Sequence, residues 1–323
     1  MKNQPLIYLL LFVILFLGGF IFYQNSNFLK KRQSQEPYFS SSFEEPLSPE
    51  YRQPFQVYTF DTPDSLSFAG EAVPLHEEDV RERLDREVHV NAYWHSSTIF
   101  LIKRANRWLP QIEPILKKYG IPQDFKYLTV IESGLQNVVS PKGATGFWQL
   151  MKGTAKDLGL EVNKEVDERY NALKSTEAAC KYLLQAYEKF GNWTAVAASY
   201  NMGMRGFSRS VKQQKVTSYY DLLLNHETAR YVFRILAIKA ILENPKKYGY
   251  DLPDNQLYKQ PPLKEIKVNK SISKLVDFSL EQGITYKDLK LYNPWLRAKK
   301  LTVSKRSKGY TLLIPEKRRG FSD

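Results

Sequence analysis

The stretch IFLIKRANRWLPQIEPILKKYGIPQDFKYLTVIESGL, residues 99–135, decides how the chain is read. Its apolar positions Ile99, Ile102, Ala105, Leu109, Ile112, Ile115 and Leu116 fall at intervals of mostly three and four, the spacing of one helix face. Tyr119-Gly120-Ile121-Pro122 then stops the helix. Asp124 is placed to cap a second helix, which runs through Tyr127, Leu128 and Ile131. The same periodicity begins near Val80 and extends to about Leu242. It returns at Ala179, Tyr182, Leu183, Ala186 and Phe190, and again at Tyr231, Ile235, Ile238 and Leu242. No strand alternation of comparable length interrupts it, so residues 80–252 are expected to form one all-α domain.

Outward from this domain the text changes on both sides. The 323 residues allow about two folded units. A hydrophobic share of 43%, with 21 Tyr and 18 Phe, excludes disorder throughout. Leu6 to Phe22 is an uncharged apolar run of about 26 Å as a helix, a short but feasible membrane span. No small-residue cleavage site and no closely following cysteine accompany it, so an uncleaved transmembrane anchor over 6–22 is expected. Residues 23–79 are rich in Gln, Ser, Pro, Asn and Glu and read as a flexible linker. The formal charge of +13 is concentrated at the other end: Leu257 to Asp323 holds 16 Lys/Arg against 6 Asp/Glu, a net of +10. Cys180 is the single cysteine, which rules out an internal disulfide. With four His it offers no zinc-ligand pattern, and neither metal nor cofactor is expected.

Three short pieces inside the helical domain point to chemistry. Ile131-Glu132-Ser133-Gly134-Leu135 runs a helix into a Ser-Gly turn, where Glu132 by itself would be an ordinary solvated carboxylate. Eleven residues later comes Gly143-Ala144-Thr145-Gly146-Phe147-Trp148-Gln149-Leu150-Met151, and 65 residues after Glu132 begins Ala197-Ala198-Ser199-Tyr200-Asn201-Met202-Gly203. Two glycines three apart let backbone pass close to a ligand, and Gln149 offers both a donor and an acceptor. Phe147, Trp148, Met151 and Tyr200 could equally be core, and Thr145 could equally cap a helix through Phe147.

From Ile112 to Asp251 these pieces, with Gly120-Ile121-Pro122, Asp167-Glu168-Arg169, Glu227-Thr228 and Tyr231-Val232, resemble the catalytic domain of the soluble-lytic-transglycosylase-like enzymes of the lysozyme superfamily, of the membrane-bound type D kind. Ser199 and Met202 depart from the alanines common there, and the lipidation cysteine is missing. The resemblance implies a mainly α protein: a lysozyme-like all-α catalytic domain, a small α+β C-terminal module and the N-terminal transmembrane helix. It implies Glu132 as the catalytic acid, with Ser133, Gln149, Met151, Tyr200, Asn201 and Tyr231 as substrate-binding residues of the cleft. Ser133 could instead serve the turn, and Tyr231 could be core beside Ile235.

The implied substrate is peptidoglycan, cleaved between N-acetylmuramic acid and N-acetylglucosamine without water to leave 1,6-anhydro ends, by a head held in the periplasm from the inner membrane. A non-catalytic glycan-binding scaffold and a lysozyme-like hydrolase are the alternatives. Residues 257–317, with strand, two helical pieces and strand in prospect, resemble a degenerate LysM module, although Asn269-Lys270-Ser271 replaces its usual Gly-Asp-Thr. A solvated structural cap is the other reading, and nucleic acid is not an expected partner. Every proposed cleft residue precedes this tail, so its loss is expected to weaken cell-wall binding and leave cleavage unchanged.

Overall fold

The computed structural model describes residues 57–304 and 309–316. The described residues are mainly helical, with two small two-stranded sheets among them. Helix α1 (Glu78–Tyr93) opens with Glu78 and Asp79, whose charges suit the positive end of the helix dipole. Helix α2 (His95–Lys118) buries Ala105, Leu109, Ile112 and Leu116 of the face read from the sequence, adds Leu101 to them, and leaves Ile99, Ile102 and Ile115 half-buried. It stops at Gly120, whose φ of +68° lies in the left-handed region.

Helix α3 (Lys126–Ser133) follows, but Asp124 does not cap it. A 3-10 turn over Gln123–Phe125 runs directly into the helix and leaves the Asp124 carboxylate free. That carboxylate accepts from the Ala69 N–H and from Lys239 Nζ, both at 2.7 Å, so it ties distant segments together. Helix α8 (His226–Glu243) is apolar on nearly all sides, from Tyr231 and Phe233 to Ile241, and forms the axis of the domain. Against it pack α1, α3 and α6 (Trp193–Met202), while α5 (Ala172–Phe190) packs on α2. The short α4 (Lys152–Asp157) and α7 (Met204–Gln214) complete the helical part.

Two expectations are corrected here. No helix passes through Phe147. Gly143, Gly146 and Gln149 all have positive φ, at +84°, +83° and +48°, which a right-handed helix cannot accommodate. Residues 138–150 instead form a loop cross-linked by bridges from Thr145 to Val139 and to Leu150. Thr145 therefore caps nothing, and its hydroxyl donates to the Gly143 carbonyl at 3.1 Å. The second correction concerns the end of the expected linker. Strands β1 (Ser67–Phe68) and β2 (Glu71–Ala72) form a hairpin that seats Phe68 in the core against Phe125, with Val73 and Leu75 also buried. These apolar residues are too few and too irregular to show a period, and that hid them.

The tail contains β3 (Leu263–Val268), α9 (Leu275–Glu281), α10 (Tyr286–Tyr292) and β4 (Tyr310–Pro315), the β, α, α, β order expected. The strands pair antiparallel from Leu263 with Pro315 to Val268 with Tyr310. Thr285 and Asp288 form a reciprocal capping box on α10. The sequence from Ser271 to Glu281 reads as helix-like, but α9 begins only at Leu275, because Ile272 bridges Leu301 and the Ser271 hydroxyl accepts from the Val303 N–H. No helix among the described residues is long and apolar enough to cross a membrane, and the 6–22 run lies outside them.

Phe68 tests the corrected boundary. Phe68→Ala is expected to cost about 3–5 kcal/mol in urea unfolding, the range for a buried aromatic. A change under about 0.5 kcal/mol, normal for a solvated linker residue, would refute the packing.

Candidate active site

Glu132 is the next-to-last residue of α3, where the helix dipole and crowding protein atoms both disfavour an anion, although one side of the residue stays open to solvent. The helix ends at Gly134 (φ +59°), whose N–H returns to the Val130 carbonyl while the Leu135 N–H reaches that of Thr129. This turn fixes the direction of the side chain. Burial raises the Glu132 pKa above the usual carboxylate range, and the Glu227 charge adds to the rise. Two groups oppose it: the Tyr231 hydroxyl, which donates to Glu132 Oε1 at 2.5 Å, and the Arg234 guanidinium. The net direction remains upward.

Tyr231 is both of the things the sequence left open. It is buried on the α8 face next to Ile235, and its hydroxyl touches the candidate acid. Burial and the nearby Glu132 push its own pKa far up, so it stays a neutral donor. Sequence reasoning quoted Glu227 in a motif without giving it a role, and it missed Arg234 on the same face. Glu227, four residues before Tyr231, accepts from Asn201 Nδ2 at 2.9 Å. Arg234, three residues after, donates to the Ile131 carbonyl at 3.0 Å. The i, i+4, i+7 spacing of Glu227, Tyr231 and Arg234 was the available signal.

The other proposed cleft residues surround this centre in different ways. Asn201, at the end of α6, bridges Glu227 and the Thr228 hydroxyl, whose Oγ1 donates to Asn201 Oδ1 at 2.7 Å. The Tyr200 hydroxyl donates to the Trp148 carbonyl at 2.6 Å, and burial with the Glu132 charge holds its pKa far up. The Ser133 hydroxyl is shared between the carbonyls of Thr129 (3.0 Å) and Phe147 (2.9 Å), stitching the turn to the loop. Gln149 spends its amide nitrogen on the carbonyls of Val138 and Gly146, at 3.1 and 2.8 Å, which leaves its oxygen for a ligand. Met151 precedes α4 and is exposed. Glu132 and Tyr231 are therefore hydrogen-bonded to each other, Tyr200 and Asn201 lie near them, Ser133 and Gln149 shape the loop, and Met151 is exposed.

A cavity of about 240 Å³ shared by α1 and α8 has Glu227 and Arg234, the two charged groups that act on Glu132, in its wall and the exposed Trp94 at its edge. The arrangement can deliver one proton from a carboxyl and stabilise the anion left behind. Removing the Tyr231 hydroxyl takes a donor from that anion, so Tyr231→Phe should raise the Glu132 titration further, whereas Glu227→Gln should lower it. Infrared difference titration of the carboxyl band, identified by its loss in Glu132→Gln, measures both, and shifts in the opposite order would refute the geometry.

Residues 111–223 match the Transglycosylase SLT domain, and residues 264–318 match the Soluble lytic transglycosylase C-terminal LysM-like domain. Membrane-bound lytic murein transglycosylase D of Escherichia coli is 26% identical over 250 residues, 75% of this chain and 54% of that protein. Membrane-bound lytic murein transglycosylase F of Klebsiella pneumoniae is 28% identical over 143 residues, 40% of this chain and 27% of that one. The X-ray structure of an inactive mutant of lytic transglycosylase Slt from Pseudomonas aeruginosa aligns at 19% identity with a TM-score of 0.36, covering 54% of this chain and 32% of that chain. The chain spans about half the length of the type D relative. It carries a Transglycosylase SLT domain followed by a LysM-like domain of the soluble lytic transglycosylase C-terminal kind.

Proposed function

We propose that this chain cleaves peptidoglycan glycan strands as a lytic transglycosylase, with Glu132 as acid and then base. The observation that carries this reading is a crowded carboxyl of raised pKa held through one oxygen by Tyr231, inside an SLT domain. Tyr231 occupies Oε1, so Oε2 presents the proton. Transfer of that proton to the glycosidic oxygen breaks its bond to C1 of the muramic residue. The carboxylate so formed, stabilised by the Tyr231 hydroxyl and the Arg234 charge, takes the proton from the C6 hydroxyl as O6 closes onto C1. Atoms balance without water, and Glu132 ends protonated.

Supporting this over hydrolysis is the state of the other carboxylates. Asp124 is engaged by Ala69 and Lys239, Asp167 by Arg169, and Asp157 is exposed at the end of α4. One observation favours the alternative: Glu227 is close enough to raise the Glu132 pKa, and it could serve as a base for water. Its engagement with Asn201 argues against this, and the product decides. Released muropeptides are expected to carry 1,6-anhydro ends, one water lighter than hydrolytic products and resistant to borohydride. Predominantly reducible ends would make the protein a hydrolase, with Glu227 as the first candidate for its base.

Glu132→Gln preserves shape and removes the proton, so turnover should fall by about 10²–10⁴ while glycan binding persists. Activity within a few fold of the parent would remove Glu132 from the mechanism. Rate should also decline as pH rises through the elevated Glu132 pKa, because the acid form is the reactive one. The same reading places the protein in the cell envelope, anchored to the inner membrane by residues 6–22 with the head in the periplasm, and gives the basic LysM-like tail to glycan strands. Fractionation that finds a soluble chain starting after Phe22 would overturn the anchor.

A further inference from the structure

The C-terminal module does not close a core by itself. Its apolar cluster of Leu275, Leu289, Leu296, Leu312 and Ile314 also contains Val166, with Tyr170 packed against it, and both of these belong to the SLT domain. Backbone joins the two parts as well. Val166 bridges Leu296, the Arg297 N–H donates to the Glu165 carbonyl at 2.7 Å, and the Asp167 N–H donates to that of Trp295 at 2.9 Å. The Glu165 carboxylate accepts from the Thr302 N–H at 2.8 Å and pairs with Lys300 at 3.1 Å. The Arg297 guanidinium lies over the Tyr170 ring, 4.1 Å from its centre.

The same short segment reaches the catalytic loop on its other side. Asp167 holds the Arg169 guanidinium by two bonds, to Nε at 3.0 Å and Nη2 at 2.8 Å, and both residues are buried. Arg169 Nη1 then donates to the carbonyls of Gly143 and Leu150, each at 3.1 Å, so one cation clasps the middle of the loop and its last residue. The Arg169 carbonyl sits so close to Gly146 that an added Cβ would lie 2.0 Å from it. Across the loop, the Phe147 and Trp148 carbonyls are bound by Ser133 and Tyr200. Contacts therefore run unbroken from Trp295 to the residue next to Glu132. The two-pronged geometry makes the clasp directional, since a guanidinium fork bonds well only in one plane.

We infer that Asp167 and Arg169 are positioning residues for the cleavage reaction, and that their setting depends on the docked C-terminal module. The module is on this view part of the catalytic apparatus, contrary to the dispensable tail expected from sequence. The inference rests on the proposed activity of Glu132.

The test uses the full chain in detergent with soluble glycan fragments as substrate, with sacculus binding measured separately. Val166→Asp places a charge in the shared cluster. Glu165→Ala combined with Arg297→Ala strips polar contacts from half-buried and exposed positions and leaves the core intact, so it carries the test should the first variant not fold. Arg169→Lys breaks the fork from the other side. A misplacement of about 1 Å can cost on the order of 10²-fold in rate. All three are therefore expected to lose about tenfold or more in kcat with KM for the fragments within about twofold, and Arg169→Lys should add little to Val166→Asp. A kcat equal to the parent's in the paired variant, or full multiplication of the two single losses, overturns the inference. A parent inactive on the fragments would instead refute the proposed activity itself.

Discussion

The site is organised by the hydrogen bond from Tyr231 to Glu132. A carboxyl that is to give up a proton must be held where its anion is poorly solvated, yet the anion must be tolerable once it forms. Crowding at the end of α3 meets the first requirement, and a neutral phenol with a displaced pKa meets the second without adding a full positive charge. This sets the relation of α3 to α8. The two helices must bring a turn-end carboxyl and a mid-helix hydroxyl within 2.5 Å, and the apolar circumference of α8 fixes that approach. Arg234 and Glu227, on either side of Tyr231, tune the same charge with opposite sign.

Loop 138–150 solves a different problem. It passes close to the acid but contains no regular structure to define its path. Its shape is set by backbone geometry that only a few residues adopt, and its carbonyls are taken up by side chains from four directions: Ser133, Gln149, Arg169 and Tyr200. Among the residues proposed for substrate, Ser133 and Gln149 thus have a first task in the loop itself. At Gly146 the Arg169 carbonyl leaves no room for any side chain, which explains why glycine stands there more directly than access for a ligand does.

The helical faces were legible because each repeats over several turns. Ala105, Leu109, Ile112 and Leu116 on α2 and Tyr231, Ile235 and Ile238 on α8 are buried as their spacing marks them, while Ile99, Ile102, Ile115 and Leu242 are half-buried. Features that depend on a single contact were not legible. Asp124 has the composition of a cap and serves as a long-range tie, because a 3-10 turn had already satisfied the helix start. Thr145 stands before an apolar run that is a loop, and the two flanking glycines were read as room for a ligand when they also exclude a helix. Phe68 lies in polar text where one buried ring leaves no periodic trace. In the site, the motif residues were found one at a time, while Glu227 and Arg234 needed the α8 face to be considered whole. The strand, two helices and strand of the tail were visible, but its dependence on Val166 joins positions far apart in sequence and had no local signature.

That distance bears on how the molecule is made. Glu165 and Thr302 are 137 residues apart, and their contact cannot form until the chain has been made as far as Thr302. Closing so long a loop is entropically costly and comes late in folding unless many other contacts precede it. Since synthesis proceeds from the N-terminus, the helical part can collapse around α8 while the strand that completes the second cluster is still missing. The loop held by Arg169 would therefore reach its fully ordered setting only after β4 has been made, so the order of synthesis itself would delay it.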